Sequence, residues 1–371
     1  MSRKFRIAYL AHSLRSDWNN GNAHFLRGLL DNLRLLGHHV TAFEPEQEWS
    51  IINLRQEDRG QDSLEQFAKL YPDLRIQLYP ACDIAEPAFW RDRLRGFDVV
   101  VLHEWNPPAL AHTLLTLRDE LHFKLLFHDT HHRASSSPGA IANFGTDRFD
   151  GVLAFGEALR TIYRERFNIS RVWTLHEAAD TRLFRPLPAT PRKQEVVWIG
   201  NWGDDERSAE IREFLLTPAA QLPQFRFTVH GVRYPEDGLR ALREAGVGFH
   251  GYLPNLNAPR EYAASALTIH IPRQQYNAAL TGIPTIRVFE ALACGIPLVS
   301  APWQDTENLF REGDLRFVHN AEEARTAMQE LLENPRLAAE QAGRGFNTVL
   351  AHHTCRHRAE QVTSILEELF K

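Results

Sequence analysis

Short apolar runs of strand length alternate along this chain with stretches whose apolar residues return every three or four positions. That alternation predicts βαβ units and parallel sheets. Phe5–Ala11 reads as the first strand and Ala23–Leu36 as the first helix, because Phe25, Leu29, Leu30, Leu33 and Leu36 fall on one face. His39–Phe43, Asp98–His103, Lys124–His128, Gly151–Phe155 and Val172–Leu175 are further strands, with a helix over Glu157–Phe167. Between about Phe184 and Gln194 the chain reads FRPLPATPRKQ, with three prolines and no periodic apolar pattern, which marks a linker. The alternation restarts with Glu195–Gly200, Arg226–Gly231, Gly248–Gly251, Leu267–Ile271 and Pro297–Ser300, and it ends in a helix over Arg356–Leu369.

The pattern predicts an α/β fold of two Rossmann-like domains with a cleft between them. At 371 residues the chain exceeds the usual single-domain size. We place the domains at 1–186 and 187–350, and read 351–371 as a C-terminal helix able to pack back on the N-terminal domain. In open parallel sheets, ligands bind outside the carboxyl ends of the strands. Site residues are therefore sought just after strands.

Composition narrows the class only a little. A hydrophobic share of 43% and a charged share of 24% are ordinary for a globular protein. The formal charge of −5 argues against a general nucleic-acid binder. Cys82, Cys294 and Cys355 are far apart and odd in number, giving neither a disulfide framework nor a metal spacing, which fits a reducing cytosol. The apolar run near the start is too short for a signal-peptide core. No stretch approaches the roughly 20 apolar residues that span a bilayer; docking to a membrane surface is left open.

The residue of most interest is Glu290, flanked by Val288, Phe289, Ala291, Leu292 and Ala293. A carboxylate on so apolar a helix suits bidentate recognition of two ribose hydroxyls, although most glutamates are solvated helix residues. Arg287, three positions earlier, can meet a diphosphate or pair with Glu290. Gly200-Asn201-Trp202-Gly203 follows the VVWI run and can turn backbone amides toward a diphosphate, and Arg207 is the nearest basic residue, suited to neutralising it. This is neither a GxGxxG nor a Walker loop, so hydride transfer and ATPase chemistry gain nothing from it. Tyr276 and Tyr252, each past a strand end, are read as lining the sugar and flanking the base.

In the first half, His128-Asp129-Thr130-His131-His132 follows a strand. His131 or His128 can act as a base or hold an acceptor hydroxyl, with Glu104 of His103-Glu104-Trp105 as runner-up. The histidines lack a distant partner motif, and no metal is assigned. Gly21, in Asn19-Asn20-Gly21-Asn22, allows close approach to phosphate or sugar. His12 and Trp18 are assigned to the acceptor.

FEALACGIPLVS, within 289–300, resembles the nucleotide-binding segment of GT-B glycosyltransferases, in particular the GT4-like and CgeB-like (spore maturation protein) groups. HEAADTRLFRP resembles the GT4 "NGVDTxxFxP" segment, with Asp180, Thr181, Phe184 and Pro186 in matching positions. GYLPNLNAPREYAASALTIH is similar to the segment that frames the base. The resemblance covers the C-terminal half well and the N-terminal half loosely. It implies a GT-B fold, with the second domain holding a nucleotide-sugar donor through Glu290, Arg287 and Arg207, and with backbone amides at Gly282, Ile283 and Pro284. Thr281 and Thr285 would add hydroxyls. Retaining GT4 enzymes commonly carry a second Glu eight positions before the first, and here that position is Gly282. The departure favours the CgeB-like branch.

Together these features are read as a metal-independent glycosyltransferase without a cofactor, its donor a nucleoside-diphosphate sugar, with retention favoured over inversion. The acceptor is open among glycan, lipid, protein and small molecule. Two rivals stand beside it: an epimerase or hydrolase of sugar nucleotides on the same fold, and a catalytically silent nucleotide-binding subunit of a transferase complex.

Overall fold

The computed structural model describes residues 3–188, 191–203 and 206–371. Residues 189–190 of the expected linker lie outside the described residues. The chain forms two compact units, one of Met1–Glu177 with Cys355–Lys371 and one of Ala178–Thr354.

The first unit is built on a seven-stranded sheet of β1 (Arg6–Leu10), β2 (His39–Pro45), β3 (Arg75–Tyr79), β4 (Val99–His103), β5 (Lys124–Asp129), β6 (Gly151–Ala154) and β7 (Val172–Thr174). The order is β3-β2-β1-β4-β5-β6-β7, and every pairing is parallel. Its central strands are buried on both faces, which is why they read as continuous apolar runs rather than alternations. The helix Ala23–Leu35 buries Phe25, Leu26, Leu29, Leu30 and Leu33. Each such side chain contributes about 1.5–3 kcal/mol relative to exposure. Cys355–Leu369 belongs to the same unit: Phe370 packs on Phe5 with ring centroids 5.3 Å apart, and Arg358 Nε donates to the His176 carbonyl at 2.9 Å.

The second unit holds a six-stranded parallel sheet of β8 (Val196–Ile199), β9 (Phe227–His230), β10 (Val247–Phe249), β11 (Leu267–His270), β12 (Leu298–Ser300) and β13 (Arg316–Phe317), in the order β10-β9-β8-β11-β12-β13. Ala179 and Phe184 enter its core with Val288, Phe289 and Leu292. The division therefore falls before the prolines, with Phe184 anchoring the chain in the second unit ahead of them. The sequence pattern missed β3 and β13. Both are edge strands with charged or exposed positions, so neither carries an apolar run.

Candidate functional site

Strand order in the second sheet reverses between β8 and β11, so ligand-binding groups are expected past the carboxyl ends of these two strands. Arg207 joins them. Its Nη1 donates to the Ile271 carbonyl at 3.2 Å and its Nη2 to the Asn201 carbonyl at 2.6 Å. The guanidinium also lies 5.4 Å from the centroid of the Trp198 ring. Gly203, at φ +82°, packs so closely that a Cβ there would collide with the Arg207 side chain. Burial, and then repulsion from Arg273, lower the Arg207 guanidinium to about 10; Arg287 adds to that repulsion. Arg207 Nε is buried without a hydrogen-bond partner among the described residues. Arg207, with Arg273 and Arg287 near enough to oppose its charge although each is paired with a carboxylate, makes a place suited to an anion.

Arg273 pairs with Glu206, which also accepts from Gln275 Nε2 at 3.0 Å. Asn201 holds the loop by accepting from the Val232 amide at 3.2 Å through Oδ1. The side chain of Trp202 is buried in the core of the unit, its ring 5.7 Å from that of Tyr234, and supports the loop from within.

Glu290 sits in the helix Ile286–Ala293 with its carboxylate wholly buried. Asn255 Nδ2 donates to Oε1 at 2.8 Å, and Arg287 pairs with Oε2. The carboxylate therefore meets at least two protein donors, and a ribose would have to share or displace them. Arg287 keeps 26% of its side chain exposed, so it is the partner with room to move. Burial, then the Glu290 charge, raises the Tyr262 hydroxyl and the Cys294 thiol well above their ordinary values.

Gly282 takes φ +88°, and a Cβ would strike Thr306, so the turn requires glycine on both counts. Pro284 has no N–H, which corrects the expected amide triplet to Gly282 and Ile283. Thr285 is held: its hydroxyl meets His270 Nε2 at 3.0 Å, while His270 Nδ1 meets Ser300 Oγ at 2.9 Å. Tyr276 is buried and Tyr252 half-buried.

In the first sheet, strand order reverses between β1 and β4. His12, past β1, lies parallel to His103 with ring centroids 5.4 Å apart and 6.0 Å from Trp105, past β4. Glu104 is fully buried, paired with Arg133, and accepts from Thr130 Oγ1 at 3.2 Å. Thr130 also meets His103 Nε2 at 3.0 Å and Asn22 Nδ2 at 2.7 Å. Asp129 accepts from the Tyr163 hydroxyl at 2.6 Å and the His131 amide at 2.9 Å. Burial drives both carboxyls upward, and in Glu104 the neighbouring Asp129 adds to it.

The sequence-predicted residues separate here. His131 is half-buried, with its ring 4.9 Å from Trp105. His128 is a core group, wholly buried and hydrogen-bonded through Nδ1 to the Tyr9 hydroxyl at 2.7 Å; as a residue within β5 it points into the packing, which removes it as a base. Trp18 donates through Nε1 to Glu57 at 2.7 Å and packs edge-on against Trp49. Gly21 is half-buried in the turn before the first helix. Sequence reasoning missed Arg133, Arg273, Asn255 and Thr130. Thr130 and Arg273 had a visible signal, their positions past β5 and β11, and Asn255 lay within the segment likened to the one that frames the base.

His12, His128 and His270 are each lowered to about 3, by burial first and, for His12 and His270, by an arginine second. The folded value lies below the unfolded one near ~6.5, so each imidazole contributes stability that is full above that pH and lost as pH falls toward about 3. Glu104 and Asp129 act in the opposite sense, losing stability as pH rises. The difference between variant and wild type isolates one group. His270→Asn is expected to remove one proton's share of the acid slope, about 1.4 kcal/mol per pH unit between pH 6 and 5. Urea unfolding at pH 7, 6 and 5 checks this; parallel slopes would contradict it.

The sequence family described as "Glycosyl transferase-like" matches residues 207–364. Across 99% of this chain and 99% of the other, the structure is similar to sucrose-phosphate synthase from Thermosynechococcus elongatus, with TM-score 0.68 and 16% identity. Anabaena Alr3699/HepE in complex with UDP and glucose gives TM-score 0.69 at 15% identity, covering 98% of this chain and 99% of that one. A glycosyltransferase from Rickettsia africae gives 0.68 at 13%, covering 100% and 99%. No curated protein matches the chain by sequence. Residues 207–364 thus match a glycosyl transferase-like family, and the fold of the chain is the α/β GT-B fold of solved glycosyltransferases. Among the described residues, no helix is long and apolar enough to cross a membrane.

Proposed function

We propose that the protein transfers a sugar from a nucleoside-diphosphate sugar to an acceptor hydroxyl, without a metal or cofactor in the step. The observation that carries this is Arg207, bridging the ends of β8 and β11 and crowded by Arg273 and Arg287. The second unit holds the donor. Its guanidiniums take up the charge that grows on the diphosphate as the bond from the sugar's anomeric carbon to phosphate oxygen breaks. Glu290 takes the ribose once Arg287 turns from its carboxylate toward the diphosphate. The first unit presents the acceptor, whose oxygen forms the new bond and gives its proton to a base.

His131 is the assigned base, since Glu104 is enclosed by Arg133 and Thr130. Gly282 in place of a carboxylate supports the CgeB-like branch, and the GT4 likeness supports retention. Solved HepE complexes with UDP, with UDP and glucose, and with UDP-glucose make a uridine donor the first to try. Cysteine usage supports a cytoplasmic setting.

Incubation with UDP-, GDP- and TDP-sugars in the absence of acceptor tests the reaction class. Slow background hydrolysis is expected, whereas rapid epimerisation or hydrolysis would support the rival enzyme. His131→Ala should lower turnover by about 10²-fold or more while sparing nucleotide affinity. Equal turnover would return the search to Glu104.

A further inference from the structure

We propose that the indole of Trp105 is the platform on which the acceptor lies, and that the acceptor presents a sugar ring to it. This rests on the transferase reading and names the acceptor class that reading leaves open. Trp105 stands immediately past β4, beside the point where strand order in the first sheet reverses, the place where open parallel sheets take ligands. Tryptophans are usually well covered, yet Trp105 is 42% exposed.

The exposed ring is nonetheless fixed. Arg133 lies over it at 4.3 Å from the centroid, His131 meets it edge-on at 4.9 Å, and His12 is tilted against it at 6.0 Å. Arg133 is itself tied to the buried Glu104. A rigid aromatic surface held by charged and imidazole groups loses little entropy on binding.

The surroundings select the ligand. The C–H-rich face of a pyranose meets the electron-rich face of an indole, while its equatorial hydroxyls point outward to polar groups. Trp105 offers both. Its neighbours His12, His131, Arg133 and Glu104 are polar. His12 Nδ1, His103 Nδ1 and Arg133 Nε are buried without hydrogen-bond partners among the described residues, so this part of the sheet end has polar capacity to spare. An acyl chain would require a continuous apolar surface, which these neighbours interrupt.

Saturation-transfer NMR on the full chain tests the platform, with methyl α- and β-glycosides of glucose, galactose and mannose as probes. p-Nitrophenol and hexanol serve as aromatic and aliphatic controls. At least one glycoside is expected to bind the wild type, about tenfold more weakly to Trp105→Ala, and within about threefold of wild type to Trp105→Phe. Thermal shifts with UDP, GDP and TDP should be the same in all three proteins, which also reports folding. The proposal is overturned if no glycoside binds the wild type, if Trp105→Ala binds glycosides equally well, or if only a control binds. Absence of any nucleotide shift in the wild type would instead overturn the transferase reading, with the glycoside series still deciding the platform.

Discussion

Arg207→Ala should weaken nucleoside-diphosphate binding by about 10²-fold, the loss of two charge-assisted hydrogen bonds at roughly 1.5 kcal/mol each. The side chain is placed for that role before any ligand arrives. Two of its nitrogens are tied back to the Ile271 and Asn201 carbonyls, so it spends little conformational entropy on meeting an anion. Its unfavourable company, Arg273 and Arg287, is relieved when negative charge enters. Arg207→Lys keeps the charge and loses the planar fork, and should fall between wild type and Ala. Isothermal titration with UDP and GDP reads both variants, while the unfolding midpoint separates lost affinity from lost fold. Affinity unchanged in a folded Arg207→Ala protein would place the phosphates elsewhere.

Glu290→Ala carries the second large effect, and it has two parts. Removing a wholly buried carboxylate strands Arg287 and the Asn255 amide, a loss of about 3 kcal/mol in stability. Arg287 is partly exposed and can turn to water, which places the effect at the low end for broken buried pairs. The second part is a fall of about tenfold or more in nucleotide affinity, if the carboxylate also takes the ribose. Glu290→Gln separates the two. It keeps the shape and an acceptor for Asn255 or Arg287, so stability should recover partly while affinity stays low. A Gln variant that is less stable yet binds nucleotide normally would make Glu290 a structural ion-pair partner only.

Much of this was legible in the amino-acid order. Buried parallel strands advertise themselves as apolar runs: β1, β4, β8 and β11 fall within the predicted stretches, and β5 runs one residue past its own. Arg207, His12 and Glu104 do lie past the carboxyl ends of β8, β1 and β4, the places to which the strand-end rule directs the search. Two of the edge strands, β3 and β13, escaped because exposure on one side lets charged residues in, whereas the edge strands β7 and β10 kept enough apolar residues to be read. Side-chain direction escaped as well. A tryptophan or histidine at a strand end can face core or solvent, and only the packing turned Trp202 and His128 inward. The partners of the key charges were invisible for a further reason: Asn255 meets Glu290, and Arg133 meets Glu104, from distant stretches of chain. Such pairs exist only once the chain is folded.

The central claim is that the second unit binds a nucleoside diphosphate through Arg207 at the β8–β11 strand ends. Titration of the wild-type chain and Arg207→Ala with UDP, GDP and TDP tests it most directly. The account predicts saturable binding of at least one nucleotide at a single site, weakened about 10²-fold in the variant. Failure of all three to bind the folded wild-type chain, or equal binding by the variant, would contradict it.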